Sequence, residues 1–340
     1  MKSVLILFLS CLVIPYAQAN LSSSQLDEFA AIYQQELGST RVCEQQLSYE
    51  YKVCSDVLKS EGNAPYVFQS DTSKGVVVLF HGLSDSPFFM RSIAEYLYRE
   101  GYTVVVPLTP GHGKLEADAD MEDSQLKSRW YAHVNQVMGI VEQQPQPVFI
   151  GGFSTGGAFA TWYSLHNPDK VKGILLFSAA LELTGGAETM SKIWGIKLLA
   201  KLLDGDYETQ GPHPYKYPSV ASYSGLILMD VIRDIREFLK DKTIEKPIFA
   251  AHSMADNVTM VSGIESLIEK VDGNHTFFKV DESYDVCHAD VVMNQVQIVQ
   301  LQFNKSEVNE NERCAVPKAN PQHDNMLKTL GYFMQQHEQG

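Results

Sequence analysis

A Gly-x-Ser-x-Gly motif at residues 152–156 is the sequence feature with the clearest chemical meaning. It follows the apolar run Val148 to Ile150 and precedes the small residues Gly157 and Ala158, so its serine lies where a strand turns sharply into a helix. A helix that begins here directs backbone N–H groups and its positive dipole end toward a developing negative charge. We therefore predict that Ser154 is the nucleophile of an acyl-transfer reaction.

A second turn, His81-Gly82-Leu83, follows another apolar run at residues 76–80. In this position a His-Gly turn typically supplies one N–H group of an oxyanion hole, and the residue after the nucleophile supplies the other. We assign these N–H groups to Leu83 and Thr155. His81 precedes the serine in the chain, and we interpret it as a structural loop residue rather than a catalytic base.

The elements that would position these residues alternate along the chain after Gly75. Short β-branched or apolar runs, typical of buried parallel strands, are separated by amphipathic stretches. The predicted strands are residues 76–80, 103–106, 148–150, 173–177, 247–250 and 276–280. The predicted helices are residues 24–37, 86–98, 125–141, 158–166, 193–203, 226–239 and 324–336. This alternation indicates an α/β protein with a mostly parallel sheet covered on both faces.

Residues 75–113 and the segment GGFSTGG at 151–157 resemble the core of bacterial carboxylesterases and monoacylglycerol lipases of the α/β-hydrolase superfamily. The likeness covers about residues 75–280 and the closing helix, and it does not cover residues 20–70 or 292–318. The resemblance implies an α/β-hydrolase fold with a helical cap insertion. It also implies a triad in the chain order serine, acid, histidine.

Asp256 is the residue to which the resemblance assigns the role of the acid. It comes just after the predicted strand at residues 247–250, where the family places an aspartate that orients the histidine. Asp281, Glu282 and Asp285 remain alternatives.

His288 is the histidine that fits the spacing of the family. It lies 32 residues after Asp256, in the loop that follows the predicted strand at 276–280. His323, immediately before the closing helix, is the alternative.

The regular alternation is interrupted at about residues 184–245, which we interpret as a cap over the carboxyl ends of the strands, where ligands bind in open α/β sheets. Its apolar side chains either line an acyl pocket or pack the cap onto the core, and helical spacing does not separate these possibilities. The candidate substrate-binding residues are Trp194, Leu198, Leu199 and Leu202.

Residues 1–19 have the pattern of a signal peptide. Lys2 precedes an apolar run from Val4 to Ile14, and Ala17 and Ala19 form a small-residue cleavage site. We expect export to the periplasm or the medium. No later stretch is long and apolar enough to span a bilayer.

Four cysteines remain once Cys11 is removed with the signal peptide: Cys43, Cys54, Cys287 and Cys314. An even number in an exported chain indicates two disulfides, and three connectivities are possible. We favour Cys43 with Cys54 and Cys287 with Cys314. Metal binding is disfavoured, because there is no Cys-x-x-Cys or Cys-x-x-His pattern.

The charge of the chain limits the kinds of partner that it can bind. The formal net charge of −14 and the lack of a basic cluster disfavour nucleic acid and anionic membranes. The sequence gives no indication of oligomeric state, and the expected chemistry requires neither a cofactor nor a metal.

We therefore expect a serine hydrolase that cleaves carboxylic esters through an acyl-enzyme, of the carboxylesterase, monoacylglycerol lipase or lysophospholipase type. Its substrate would be a small ester or a lipid. An exported serine peptidase or another acyl hydrolase is the alternative, and a non-catalytic binding protein is less favoured, because no triad member is missing. The expected organisation is a signal peptide (1–19), an N-terminal extension (20–70) and a hydrolase domain (71–340).

Overall fold

The computed structural model describes residues 20–44, 47–71, 73–193 and 195–338. The expected signal peptide, residues 1–19, lies outside the described residues. In the described part of the chain, the strands are β1 (Arg41–Val42), β2 (Glu50–Cys54), β3 (Tyr66–Phe68), β4 (Val76–Phe80), β5 (Thr103–Val106), β6 (Val148–Phe153), β7 (Gly173–Phe177), β8 (Ile248–Ser253) and β9 (His275–Val280).

The helices alternate with these strands after β4. They are α1 (Ser23–Ala31), α2 (Gln34–Leu37), α3 (Arg91–Arg99), α4 (Asp118–Met121), α5 (Leu126–Val141), α6 (Thr155–His166), α7 (Gly185–Met190), α8 (Ile196–Asp204), α9 (Ser222–Phe238), α10 (Val261–Ile268), α11 (Gln295–Gln300) and α12 (His323–His337). No helix among the described residues is both long enough and apolar enough to cross a bilayer.

The strands form one sheet in the order β1-β2-β3-β5-β4-β6-β7-β8-β9. Strands β4 to β9 run parallel to one another. Strands β1, β2 and β3 form an antiparallel edge of the sheet, in which β3 pairs with β5. In a parallel sheet the carboxyl ends of the strands share one edge, so the loops after β4, β6, β8 and β9 meet there.

Helices cover both faces of the sheet, and the residues of β4 show how. Alternate side chains of a strand point to opposite faces. Val78 packs in a core with Trp130 of α5 and Phe159 of α6, and Val77 packs in a separate core that includes Ile93 of α3 and Phe333 of α12. The predicted α/β architecture is confirmed.

The sequence prediction differs from the structure at several boundaries. Residues 20–70, expected as an extension with one helix, also contribute the three antiparallel strands β1, β2 and β3. The helix expected from Ser86 begins as a 3₁₀ turn at Pro87–Met90 and becomes α-helical only at Arg91. These differences fall on short edge strands and on a turn. Their local sequence signals are weak, because their conformation depends on contacts with the neighbouring sheet.

Two disulfides join the cysteines as favoured from the sequence. Cys43 bonds Cys54 across the β1–β2 edge, and Cys287 bonds Cys314 across 27 residues of the segment between β9 and α12. The second bond anchors a part of the chain that the family resemblance does not cover.

Helix α1 is part of the main core rather than a loose appendage. Phe29 is fully buried and contacts Tyr33 edge to face at 5.3 Å between ring centroids. The Leu108 N–H donates a hydrogen bond to the hydroxyl of Tyr33, which links this region to the loop after β5.

We expect Phe29→Ala to lower the free energy of unfolding by about 3–5 kcal/mol, because it removes a buried ring and leaves a cavity. The exposed neighbour Glu28 is the control, and Glu28→Ala should change stability by less than about 0.5 kcal/mol. Urea unfolding of the two variants measures both values. Equal, small losses would show that α1 does not stabilise the hydrolase core.

Candidate active site

Ser154 lies on a sharp turn between β6 and α6. Its backbone has φ +52° and ψ −114°, a region that residues other than glycine rarely occupy. Two main-chain hydrogen bonds to the chain around β7 hold it there. The Ser154 N–H donates to the Phe177 carbonyl oxygen, and the Ala180 N–H donates to the Ser154 carbonyl oxygen. The strained backbone presents the hydroxyl at the carboxyl edge of the sheet.

The glycines on either side of the serine are required by close packing. A Cβ atom on Gly152 would lie 2.5 Å from the carbonyl carbon of Gly156. A Cβ atom on Gly156 would overlap the Phe80 carbonyl oxygen and lie 2.8 Å from the His81 carbonyl oxygen. All of these neighbours are main-chain atoms, which cannot rotate away. The turn is therefore possible only with glycine at both positions.

A chain of two hydrogen bonds joins the three residues that the resemblance singled out. The distance from Ser154 Oγ to His288 Nε2 is 2.9 Å, and from His288 Nδ1 to Asp256 Oδ2 it is 2.6 Å. With a neutral imidazole, the serine hydroxyl donates to Nε2 and the Nδ1–H donates to the carboxylate. All three side chains are almost completely buried.

Asp256 is held by hydrogen bonds from its own loop. Its Oδ1 accepts the N–H groups of Val258 and Thr259 at 2.8 and 3.0 Å, and its Oδ2 accepts the Thr259 hydroxyl at 3.0 Å. Burial alone would raise the pKa of Asp256. The charge of a protonated His288, the hydrogen bond from its ring, the charge of His252 and the Val258 N–H outweigh burial, so the pKa lies below its usual range. The carboxylate therefore stays ionised at neutral pH.

The loop that carries His288 is anchored on both sides. Cys287 is bonded to Cys314, and the Val286 carbonyl oxygen accepts the Ser253 hydroxyl at 2.7 Å. The imidazole also packs against the Phe153 ring at 4.8 Å between centroids.

The alternative histidine lies elsewhere. His323 is buried at the start of α12, and its Nε2 lies 3.0 Å from Ser92 Oγ. His81 is buried below the site. Its Nδ1–H donates to the Gly82 carbonyl oxygen and its Nε2 accepts the Thr109 N–H, so both ring nitrogens have structural partners.

The alternative acids are likewise engaged in other contacts. Asp281 accepts the Ser283 N–H in its own turn, and Asp285 pairs with Arg313 at 2.8 Å. The structure brings Asp256, rather than these residues or Glu282, to the imidazole of His288.

The N–H groups of Leu83 and Thr155 lie at the ends of two adjacent strands. Leu83 follows β4 and lines the same cavity as Ser154, and Thr155 is the first residue of α6. Neither N–H donates a hydrogen bond to any residue that the structure describes. Both donors are therefore free to bind an oxygen atom beside Ser154.

A cavity of about 550 Å³ opens from Ser154 between the sheet and helices α7, α8 and α9, and we call it the main cavity. Most of its wall is apolar and comes from these helices and the chain next to them. The apolar lining residues are Leu83, Leu183, Ala187, Met190, Ile196, Ala200, Val220, Leu226, Leu228, Met229 and Val258.

Three of the four substrate-binding residues expected from the sequence do not line this cavity. Leu198, Leu199 and Leu202 point to the surface and are exposed by 68%, 48% and 74%. The opposite face of α8, with Ile196 and Ala200, lines the cavity instead. The period of the helix was clear in the sequence, but the sequence does not say which face meets the substrate. Trp194 lies outside the described residues.

An ion pair at the cavity wall was missed by the sequence analysis. Asp85 is buried, lines the main cavity, and lies 2.8 Å from Lys216 in the long loop between α8 and α9. No local pattern connects residues 131 positions apart, so only the fold could reveal the pair. Among the described residues, no group of three or more His, Cys, Asp or Glu side chains is arranged to hold a metal ion.

Three acidic residues in or beside the segment 184–245 have partners outside the main cavity. Glu182 accepts the Ser262 hydroxyl, Glu188 pairs with Arg236, and Asp204 accepts the Tyr223 N–H. Of the described residues that line the main cavity, Asp85 alone carries a carboxylate, and Lys216 neutralises it.

We expect Gly156→Ala to destabilise the protein by more than about 2 kcal/mol, because the added methyl overlaps main-chain oxygen atoms of the central sheet. Gly139, in α5, is the matched control, since a Cβ atom there meets nothing within 4 Å. Gly139→Ala should stabilise the protein by up to about 1 kcal/mol. Urea unfolding distinguishes the two, and a Gly156→Ala variant as stable as the wild type would contradict the packing argument.

The sequence is similar to a known protein family and to two named hydrolases. A family described as serine aminopeptidase S33 matches residues 71–284. A thermostable monoacylglycerol lipase of Bacillus sp. is 34% identical over 128 residues, which are 36% of this chain and 50% of that protein. A pyrethroid hydrolase of Sphingobium wenxiniae is 28% identical over 113 residues, 32% of this chain and 37% of that protein. The chain thus spans half or less of these relatives.

Solved structures share the fold. One of two metagenome-derived lipolytic enzymes superposes with a TM-score of 0.55 at 22% identity, covering 68% of this chain and 93% of that one. A monoacylglycerol lipase of Paleococcus ferrophilus superposes with a TM-score of 0.55 at 16% identity, and the match covers 80% of this chain and 99% of that one. Because the family match extends over more than half of its residues, the chain belongs to the serine aminopeptidase S33 family of α/β hydrolases.

Proposed function

We propose that this protein hydrolyses carboxylic esters by serine catalysis, in the manner of a carboxylesterase or monoacylglycerol lipase. The observation that carries the proposal is the position of His288, whose ring nitrogens lie 2.9 Å from Ser154 Oγ and 2.6 Å from the carboxylate of Asp256. This is the arrangement that a nucleophile, a general base and an orienting acid require.

In the first half of the reaction, Ser154 Oγ attacks the ester carbonyl carbon while His288 Nε2 takes the hydroxyl proton. The carbonyl oxygen becomes an oxyanion, which the free N–H groups of Leu83 and Thr155 stabilise. When the tetrahedral intermediate collapses, the bond to the alcohol oxygen breaks and His288 gives its proton to that oxygen. The alcohol leaves, and the acyl group remains on Ser154.

In the second half, His288 takes a proton from water as the water oxygen attacks the acyl carbon. The same N–H groups hold the new oxyanion, and His288 then returns the proton to Ser154 Oγ as the carboxylic acid leaves. Asp256 stays ionised throughout and stabilises the imidazolium form of His288. The low pKa of Asp256 supports this role.

The lining of the main cavity favours an acyl chain as the part of the substrate that binds beside Ser154. Its wall is largely apolar, and its one ion pair is neutral overall. Such a site gains free energy from burying methylene groups, about 0.8 kcal/mol for each. The lipase relatives agree with this assignment. An aminopeptidase would need an uncompensated carboxylate here to bind a free amino terminus.

We also infer that the protein is exported and that residues 71–340 form the hydrolase domain, with the cap at about 184–245. Two disulfides support an oxidising compartment.

The first test is hydrolysis of nitrophenyl esters with acyl chains from short to long, by the wild type and by Ser154→Ala. We expect the wild type to be active and the variant to lose at least about 10³-fold in kcat, because the nucleophile is absent. Asp256→Asn should also be impaired, since it no longer stabilises the imidazolium. Aminoacyl nitroanilides are the parallel substrates. Cleavage of these but not of esters would replace the proposal with a peptidase.

The cavity assignment predicts a change in chain-length preference for Gly225→Leu. Gly225 lines the main cavity on α9, and a Cβ atom there makes an ordinary contact of 3.7 Å with Val220. The added side chain should shorten the pocket and lower kcat/KM for the longest accepted acyl chain by at least about tenfold, while short chains are affected less. Leu202→Ser, on the exposed face of α8, is the control and should keep the wild-type preference. An unchanged profile in both variants would place the acyl chain elsewhere.

A further inference from the structure

The turn at residues 82–85, which we call the oxyanion turn, contains one of the two proposed oxyanion donors. Its Gly82 carbonyl oxygen accepts the Asp85 N–H at 3.3 Å and the His81 Nδ1–H at 2.8 Å. Ser84 has φ +63°, a conformation that residues other than glycine rarely adopt. A turn in such a conformation persists only when contacts with its surroundings hold it there.

Two consecutive residues of the loop before α9 supply such contacts. The Tyr217 N–H donates a hydrogen bond to the Ser84 carbonyl oxygen at 2.8 Å, and the Lys216 ammonium group lies 2.8 Å from the Asp85 carboxylate. The Asp85 side chain folds back over the turn, because a Cβ atom on Gly82 would overlap its Oδ2 atom. The ion pair therefore holds a side chain that packs directly on the oxyanion turn.

The loop that makes these contacts is itself fixed to other parts of the protein. Tyr217 is buried, and its hydroxyl donates to the Gly111 carbonyl oxygen at 3.2 Å and accepts the Lys114 N–H at 2.9 Å. The Lys216 carbonyl oxygen accepts a hydrogen bond from Lys59 Nζ at 3.2 Å. Because this backbone is anchored independently of the oxyanion turn, the ion pair can set the position of the turn.

The ion pair also neutralises a charge that would oppose the reaction. Asp85 is only 2% exposed and lies two residues after Leu83, and a buried carboxylate without a partner would repel an oxyanion there. Burial lowers the pKa of His112 to about 4 and the pKa of His81 well below its usual value, so neither imidazole carries a charge at neutral pH. Among the described residues, Lys216 is the cation that pairs with Asp85.

We propose that Lys216 is a positioning residue for the oxyanion site and that it acts through Asp85. It holds the oxyanion turn so that the Leu83 N–H faces the oxyanion, and it cancels the charge of the carboxylate beside that N–H. This inference rests on the proposed esterase function and adds to it a residue outside the triad. Its effect falls on the transition state rather than on binding of the substrate.

The test separates binding of an oxyanion from binding of the same carbon skeleton. When an alkyl trifluoromethyl ketone binds, Ser154 Oγ bonds to the carbonyl carbon, His288 takes the hydroxyl proton, and the ketone oxygen becomes an oxyanion. The corresponding trifluoromethyl alcohol has the same chain and forms no adduct. The ratio of the two inhibition constants therefore measures stabilisation of the oxyanion.

Both inhibition constants, together with kcat and KM for a short-chain nitrophenyl ester, are measured in the wild type and in three variants. We expect Lys216→Met and Lys216→Gln each to lower kcat by at least about tenfold, with KM within about threefold of the wild type. Ketone binding should weaken by a similar factor, while alcohol binding stays within about twofold. Lys216→Arg keeps the positive charge and should stay within about threefold of the wild type in every constant.

Lys127→Met is the matched control. Lys127 pairs with Asp234 at 2.7 Å and so joins α5 to α9, and neither residue lines the main cavity. The variant breaks an ion pair of the same kind away from the oxyanion turn. It should keep the wild-type kcat and the wild-type ratio of inhibition constants.

The outcomes separate this inference from the proposed function. A folded Lys216→Met variant with the wild-type kcat and ratio, or one that loses ketone and alcohol binding equally, would overturn the positioning role and leave the esterase function standing. Failure of both neutral variants to fold would also overturn it, since Lys216 would then serve stability rather than the reaction. A wild type that neither hydrolyses esters nor binds the ketone more tightly than the alcohol contradicts the proposed function itself.

Discussion

The contact between the turn at residues 152–156 and the carbonyl oxygen of Phe80 is the constraint on which the candidate site depends. Because Gly156 touches the end of β4, helix α6 must begin immediately beside the neighbouring strand. That closeness places Ser154 and Leu83 in the wall of one cavity, with Thr155 as the first residue of α6. The geometry of the proposed oxyanion site thus follows from strand adjacency and from two residues without side chains.

The other half of the site depends on polar contacts and a covalent bond rather than on close packing. Asp256 follows β8 and is fixed by three hydrogen bonds from Val258 and Thr259. His288 follows β9 and is fixed by the Cys287–Cys314 bond next to it. Parallel strands deliver both loops to the same edge of the sheet, and these local contacts then set the final positions of the side chains.

Features with a local signal can be predicted from the sequence. The central strands are continuous apolar runs, and the Ser154 motif is defined by its immediate neighbours. Features that depend on a distant partner cannot be predicted in this way. Leu198, Leu199 and Leu202 have the spacing of a helix, but the packing of α8 on α9 decides that they face outward. The Asp85–Lys216 pair brings together residues from separate parts of the chain, and no sequence pattern records such a contact.

The strained backbone of Ser154 also bears on how stable this protein can become. A residue other than glycine held at positive φ costs free energy in the folded state, about 1–3 kcal/mol. Substitutions that relaxed the turn would make the protein more heat-resistant and, under the proposed mechanism, less active. Thermostability and turnover should therefore oppose each other at this turn, whereas elsewhere in the fold they can improve independently.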